Sequence, residues 1–298
     1  MKTKSFKITA KDGVDIRAEF THDETRTTKG VIVIIHGFGE YLAAYRELAL
    51  VLVEAGYASV VFDQRGHGDL QPREKLEKLQ GIVPAYQTLL DDIDIVVAEA
   101  KRLVPDVPIA IYGHSMGGNI VINYLIRPGK EKMTDRNFQM FNQSDFACVA
   151  LESPWFGLYN EISPMQAFVT KILGCISPRL VVSKGLSSEE NASEEDNACD
   201  NDDDIFYHNR ISFRLVAGVR SGCVNALANG AKINIPVYLA IGANDKIVCN
   251  KAIIKLADVI GSNATIKEYD AHHAIRKDSA KKEFFADVVD YLNKNIMN

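Results

Sequence analysis

A serine flanked by glycines limits the folds that this chain can adopt. The pentapeptide GHSMG, residues 113–117, directly follows the apolar run 109–112 and precedes a segment that reads as a helix. Glycine weakens strands and gives helices no support, so its presence on both sides of Ser115 indicates a sharp turn. The pattern G-x-S-x-G between a strand and a helix is typical of a strained turn that exposes a serine hydroxyl at a helix N-terminus. There, free N–H groups favour developing negative charge.

The apolar runs of the chain predict a mostly parallel sheet. Segments with helical periodicity lie between the runs; residues 88–104 and 279–295 are the clearest, and Asp278 or Ser279 is placed to cap the second. Residues 5–20 alternate apolar and polar side chains around a Lys-Asp-Gly turn, which predicts an antiparallel hairpin. The alternation of strands and helices predicts an α/β fold with a doubly wound sheet. The six nearly continuous apolar runs, typical of buried parallel strands, are Val31–His36, Ala58–Asp63, Ile109–Gly113, Cys148–Ser153, Pro236–Gly242 and Thr265–Tyr269.

The alternation breaks between about residue 155 and residue 234. This stretch contains apolar helical pieces and an acidic run, but no clear buried strand. Because it separates two predicted core strands, we interpret it as an insertion that covers the carboxyl edge of the sheet. We therefore expect a core in two parts, residues 1–154 and 235–298, with an inserted cap subdomain formed by residues 155–234.

Composition excludes several classes of function. The five cysteines are scattered and form no CxxC pair, and no H-E-x-x-H occurs, so we expect no disulfide framework, metal or other cofactor. The sequence has no Lys/Arg-dense stripe of the kind that indicates nucleic-acid binding. No apolar stretch is long enough to span a bilayer, and the N-terminus lacks the apolar core of a signal peptide, so we expect a cytoplasmic protein.

The charge of the chain is unevenly distributed. Residues 189–204 hold nine acidic and no basic side chains, so the remainder carries +4 of the net charge of −5. Such a run is typical of a solvated loop. A site for a cation or an amine substrate is the alternative, and the role of the segment from Glu189 to Asp204 stays open.

Polar residues that follow three different predicted strands suggest nucleophilic catalysis. Ser115, Asp245 and His273 lie just beyond such strands, and ligands of open parallel sheets bind at the carboxyl ends of the strands. A serine hydroxyl needs a base to become a good nucleophile. His273 would take its proton and Asp245 would orient the imidazole. The backbone N–H groups of Phe38 and Met116 would hold the oxyanion.

Several other residues have two readings. Asp245 could instead cap a helix, and the adjacent His272 could replace His273 as the base, although we favour His273. Trp155 and Phe156 either line an acyl tunnel or anchor the cap. We expect structural or surface roles for the remaining candidates, which are His36, Arg65, His67, His114 and His208.

The motifs taken together resemble those of a known family. The segments HGFGEYLAAYRELA, FDQRGHG, GHSMGG and GANDKIV and the histidine pair near the C-terminus are similar to those of α/β-hydrolases of the monoacylglycerol lipase and lysophospholipase type. The resemblance implies a serine hydrolase with a mobile, partly hydrophobic cap over an acyl-binding pocket. It implies Ser115 as nucleophile, Asp245 as acid and His273 as base, with Phe38 and Met116 in the oxyanion hole.

The resemblance also bears on the choice between the two histidines and on the substrate. Members of the family often have an acidic residue five places after the catalytic histidine, and Asp278 follows His273 by five. The family often has arginine at the position of Ala44, and a serine soon after RGHG, where Asp69 stands here. These positions border the expected pocket, so the preferred head group stays open.

We therefore expect a serine carboxylic-ester hydrolase that cleaves monoacylglycerols, lysophospholipids or similar acyl esters through an acyl-enzyme. A short-chain or aromatic-acid (feruloyl-type) esterase is the first alternative. A peptidase that binds a free amine through the acidic cap is another, as is a non-catalytic binding protein on the same fold. The expected partner is a small-molecule acyl ester. The apolar cap segments 155–159 and 165–173 would either contact a lipid surface or pack on the core.

Overall fold

The computed structural model of the protein describes residues 1–128, 140–160, 162–183 and 205–297. The acidic run 189–204 lies outside these ranges, so its role stays open. The described residues form ten strands, β1 to β10 in chain order: Lys2–Thr9, Asp15–His22, Val31–Ile35, Ala58–Phe62, Ile109–His114, Phe146–Glu152, Val181–Ser183, Arg210–Ser212, Val237–Gly242 and Ala264–Tyr269. They also form eight α-helices, α1 to α8: Arg46–Glu54, Leu76–Leu79, Tyr86–Leu103, Met116–Ile126, Pro164–Ile176, Phe213–Asn229, Asn250–Ile260 and Lys281–Ile296.

The central sheet has eight strands in the order β1-β2-β4-β3-β5-β6-β9-β10. In that order, the six strands from β4 to β10 run parallel, whereas the β1–β2 hairpin is antiparallel and joins β4 in antiparallel orientation. All six predicted strands and the N-terminal hairpin are therefore confirmed, with strand ends that differ by at most two residues. β1 and β10 form the two edges of the sheet.

Helices cover both faces of the sheet. Alternate side chains of each central strand point in opposite directions, so both faces are apolar and each is buried under helices. In β3, Val31, Val33 and Ile35 pack in the apolar cluster that contains α3, α4 and α7. Ile32 and Ile34 pack in the other cluster, with α1 and α8. Each of these β3 side chains is buried, and burial of one such side chain contributes roughly 1.5–3 kcal/mol. The nearly continuous apolar runs of the sequence follow from this two-sided burial.

The predicted cap of the last helix is wrong. α8 begins after Ala280, which is its N-cap residue and makes no side-chain capping bond. The Asp278 carboxylate instead accepts hydrogen bonds from the backbone N–H of His272, at 2.7 Å, and from its Nδ1, at 2.8 Å. Its other oxygen accepts the backbone N–H of Ser279 at 2.7 Å. The Asp278 side chain therefore stabilises the loop before α8 and does not cap the helix, contrary to the sequence prediction.

Between β6 and β9 the chain leaves the central sheet. Its described part there contains α5, α6 and a separate antiparallel pair formed by β7 and β8. The prediction of a stretch without a buried strand missed β8, in which Ile211 and Ser212 are buried. A strand of three residues is too short to produce a recognisable apolar pattern. The cap boundaries at residues 155 and 234 stay a prediction.

No helix in the described ranges is both long and apolar enough to cross a membrane. The expected cytoplasmic location stays a prediction.

Candidate active site

Ser115 lies in a strained turn between β5 and α4. Its φ of 51° and ψ of −115° are unfavourable for a residue with a side chain. Two backbone hydrogen bonds to the end of β6 and the residues after it hold this conformation. The N–H of Ser115 donates to the carbonyl of Glu152, and the N–H of Trp155 donates to the carbonyl of Ser115, each at 2.9 Å. The strain is thus maintained by the neighbouring strand.

Gly117 allows the first turn of α4 to approach the end of β3. A Cβ atom on Gly117 would lie 2.3 Å from the carbonyl oxygen of Ile35 and 2.6 Å from that of His36. The sequence predicted only that the glycines on both sides of Ser115 permit a sharp turn. The structure shows that Gly117 makes room for the segment that leads from β3 to Phe38.

Ser115, His273 and Asp245 are buried and form a continuous hydrogen-bonded chain. Nε2 of His273 is 2.9 Å from the Ser115 hydroxyl, and its Nδ1 is 2.7 Å from a carboxylate oxygen of Asp245. The other oxygen of Asp245 accepts the backbone N–H groups of Ile247 and Val248 at 2.8 and 3.0 Å. An imidazole with its proton on Nδ1 would donate to Asp245, leaving Nε2 free to accept a proton from the hydroxyl.

The surroundings of Asp245 favour its ionised form. Burial by itself raises the pKa of this carboxyl group, but the charge of His273 and its hydrogen bond act in the opposite direction. The N–H groups of Val248 and Ile247 add to this effect, and the pKa lies below its usual value. A charged carboxylate is what an orienting partner of a histidine base requires.

The two adjacent histidines have different partners. His273 contacts both Ser115 and Asp245, whereas His272 is bound to Asp278. Asp278 was the residue whose spacing favoured His273, yet its carboxylate binds the neighbouring ring. The spacing by itself therefore does not distinguish the two histidines, since Asp278 fixes the loop that carries both rings. The contacts of His273 with Ser115 and Asp245 do distinguish them.

The two candidate oxyanion donors lie on neighbouring segments. Met116 is the first residue of α4, and Phe38 follows β3, whose end contacts Gly117. The ring of Phe38 lies edge-on to His67 and His208, with centroid distances of 5.9 and 5.7 Å. His208 is therefore part of a ring cluster and not the free surface histidine that the sequence suggested.

Sequence reasoning missed a buried ionic network beside the three residues. Glu40 accepts hydrogen bonds from the N–H of Gly37, at 2.8 Å, and from His114, at 2.9 Å, and also pairs with Arg276. Arg276 binds Glu152 through its backbone N–H at 2.8 Å and its guanidinium at 3.0 Å. Burial raises the pKa of Glu40, but Arg276 and His114 outweigh it and hold that pKa well below its usual range. The only sequence signal was position: Glu40 ends HGFGE, and Arg276 follows His273 by three.

The remaining candidates have structural contacts. Trp155 and Phe156 are buried in the apolar core, and the carbonyl of Trp155 accepts the Asn119 side chain at 2.8 Å. This supports the anchoring interpretation, and a tunnel-lining role stays a prediction. Nε2 of His36 accepts the backbone N–H of Gln64 at 2.9 Å, as expected for a residue that supports its loop. In the part of the chain that the structure describes, no group of three or more His, Cys, Asp or Glu side chains is arranged to hold a metal ion.

Known proteins that are similar to this chain are hydrolases. A family model described as serine aminopeptidase, S33, matches residues 26–279. The chain belongs to this family. One relative of the chain is the phospholipase YtpA of Bacillus subtilis, which is 26% identical over 258 residues. The matched region covers 86% of this chain and 92% of the relative. The monoacylglycerol lipase of Mycolicibacterium smegmatis is 24% identical over 268 residues, which cover 89% and 88% of the two chains.

One solved structure similar to this S33 family member is the Paleococcus ferrophilus monoacylglycerol lipase. Its TM-score is 0.79 at 24% identity, and the match covers 95% of this chain and 100% of the other. The match to an abhydrolase domain-containing protein of Dictyostelium discoideum spans only 26% of that longer chain. The predicted α/β-hydrolase fold with an inserted segment, and the predicted resemblance to monoacylglycerol lipases, are confirmed.

Proposed function

We propose that this protein is a serine hydrolase that cleaves carboxylic esters of medium-to-long acyl chains, such as monoacylglycerols or lysophospholipids. The observation that carries the proposal is the hydrogen-bonded chain Asp245–His273–Ser115, at 2.7 and 2.9 Å, at the carboxyl ends of three parallel strands. The relatives named phospholipase and monoacylglycerol lipase support an ester substrate.

The geometry supports a reaction in two steps. The Ser115 oxygen attacks the acyl carbon while Nε2 of His273 takes the hydroxyl proton, and Asp245 stabilises the resulting imidazolium. The backbone N–H groups of Phe38 and Met116 would hold the oxyanion. The alcohol then leaves with the proton from His273, and water activated by the same imidazole hydrolyses the acyl-enzyme.

Replacing the nucleophile tests the proposal directly. In Ser115→Ala, hydrolysis of p-nitrophenyl esters should fall by on the order of 10⁶-fold, the loss typical of an absent serine nucleophile, and labelling by a fluorophosphonate probe should disappear. His273→Ala should cost at least about 10²-fold, because the general base is lost. His272→Ala, which removes the adjacent ring, is the matched control and should lose far less. Full activity in Ser115→Ala would refute the assignment.

A substrate profile separates the proposed activity from its alternatives. Monoacylglycerols, lysophospholipids, short aryl esters and aminoacyl amides would be compared with one preparation of the enzyme. A maximum at two to four acyl carbons would favour a short-chain or aromatic-acid esterase. Preference for an aminoacyl amide would favour a peptidase, an activity that the family description names.

We also propose that the cap contacts a lipid surface through α5. One side of this helix carries exposed apolar residues, including Met165 and Phe168, which are 71% and 61% exposed, and Ile172 and Ile176. Their spacing of three or four residues places them on one face of the helix. The other predicted contact segment is not available in full, since Trp155 and Phe156 are buried.

A further inference from the structure

We infer that the cap positions the oxyanion loop through His208, so that this histidine is a positioning residue for ester hydrolysis. We define the oxyanion loop as residues 36–40 and the strap as residues 205–212 of the cap. The inference rests on the proposed function, because it concerns the donor at Phe38. It assigns to the cap a role in the geometry of the reaction in addition to any contact with substrate.

The strap is bound to the core at three loops, twice through its backbone and once through the His208 side chain. The N–H of His208 donates to the carbonyl of Gly39 at 3.0 Å, within the oxyanion loop. Nε2 of His208 donates to the carbonyl of Gly66 at 3.0 Å, and the N–H of Ser212 donates to the carbonyl of Gly81 at 3.0 Å. One short cap segment thus fixes the oxyanion loop relative to two other core loops.

Glycine is required where the strap crosses the core. A Cβ atom on Gly39 would lie 2.2 Å from the carbonyl oxygen of His208, and one on Gly81 would lie 1.9 Å from that of Arg210. Both glycines also have positive φ, 78° and 73°. The strap therefore lies in direct contact with these loops, with no space for a side chain between them.

The imidazole of His208 completes a ring cluster around Phe38. Its centroid is 5.7 Å from the Phe38 ring and 4.8 Å from the His67 ring. His67 in turn lies 5.9 Å from Phe38 and 5.2 Å from His36. The side chain of Phe38 is thus held by one imidazole from the core and one from the cap, and its backbone N–H is the proposed oxyanion donor.

Such a donor is sensitive to small displacements, since the oxyanion must lie about 2.7–3.1 Å from it. Loss of one donor typically lowers kcat by about 10²–10³-fold. Removal of the His208 ring leaves Phe38 less constrained without deleting its N–H, so a smaller effect on kcat is expected. Interactions that form only in the transition state affect kcat, whereas ground-state binding of the acyl chain determines KM.

The test compares three variants on one p-nitrophenyl ester. His208→Ala should lower kcat by about tenfold or more and change KM by less than about threefold. His208→Phe keeps a ring against Phe38 but loses the Nε2 bond to Gly66, so it should be more active than His208→Ala and less active than wild type. Asn209→Ala truncates the exposed neighbouring side chain and should match wild type. If His208→Ala does not fold, His208→Leu takes its place, with the same expectation.

Inhibitor binding distinguishes positioning from a general structural effect. A long-chain alkyl trifluoromethyl ketone forms a tetrahedral adduct with the serine, so its affinity should fall in parallel with kcat/KM in His208→Ala. The affinity of the corresponding fatty acid should not change. An unchanged kcat, or a lower kcat with unchanged ketone affinity, would overturn the inference. Failure of the wild type itself to react with a fluorophosphonate would instead refute the proposed function.

Discussion

At the scale of single residues, burial changes the protonation of three histidines near the candidate active site. Burial lowers the pKa of His36 to about 4 and those of His67 and His208 to about 3. The three rings also lie close together, so a charge on one disfavours a charge on the next. All three imidazoles are therefore neutral in the folded protein near pH 7.

These histidines predict that the protein loses stability in mild acid. In the unfolded chain a histidine takes up a proton near pH 6.5, so below that pH the unfolded chain binds more protons and the free energy of unfolding falls. For the fully buried His67 the loss between pH 7.5 and pH 5 is about 2 kcal/mol. Asp63 opposes this trend, because burial raises its pKa to about 6 and the folded protein then binds the extra proton.

Urea unfolding of wild type and His67→Gln at pH 7.5 and pH 5.0 measures this effect. Glutamine does not titrate, so the variant should be less stable than wild type at pH 7.5 but should lose less stability on acidification. Glu40 also faces His67 and is present in both proteins, so it does not alter the comparison. An equal loss in both proteins would show that His67 does not contribute. Between pH 7.5 and pH 8.5 the two should respond alike.

Residue roles could be predicted from sequence only where a motif or a strand end marked them. Ser115, Asp245 and His273 each follow an apolar run, and the structure brings them together. No motif indicated the pairing of Glu40 with Arg276, because these residues are 236 positions apart in the sequence. The contact between His208 and Phe38 likewise depends on how the cap crosses the core.

At the scale of elements, long periodic segments were predictable and short ones were not. α3 and α8 bury one side each, which their spacing of apolar residues made visible. β7 and β8 have three residues each, and they pair with each other outside the central sheet. The start of α8 was missed because Asp278 binds His272, a contact that local sequence rules do not include.

The contact between the strap and the core can be tested at Gly81. Gly81→Ala should lower stability and also lower kcat, because the new Cβ would displace the strap at Arg210. Gly13→Ala is a matched control: Gly13 has a similar φ of 78°, but a Cβ atom added there would meet nothing within 4 Å. The control should lose only the roughly 1–2 kcal/mol of a left-handed residue and keep its kcat. Equal kcat values in both variants would contradict the expected coupling.

At the scale of the whole molecule, the sheet explains how distant residues meet. Ser115 and His273 are 158 positions apart, yet both follow parallel strands, whose carboxyl ends lie at one edge of the sheet. The order of these strands was not predictable from the sequence, because periodicity indicates burial and not neighbours. The fold class followed from the alternation of strands and helices.

The exposed face of α5 predicts a difference between dissolved and aggregated substrates. The double variant Phe168→Ser and Ile172→Ser should sediment less with phospholipid vesicles and hydrolyse emulsified monoacylglycerol more slowly. Its activity on a water-soluble acetate ester should not change. Ile254→Ser, which replaces a 43% exposed residue of α7, is the control. Unaltered vesicle binding in the double variant would exclude α5 as the contact surface.

Both edge strands of the central sheet contain lysine. β1 contains Lys2, Lys4 and Lys7, and β10 contains Lys267. A second copy of the chain that tried to extend the sheet through β1 would bring ammonium groups of the two copies together and would have to strip them of water. Charged side chains of this kind on an edge strand discourage edge-to-edge pairing with the strands of another copy.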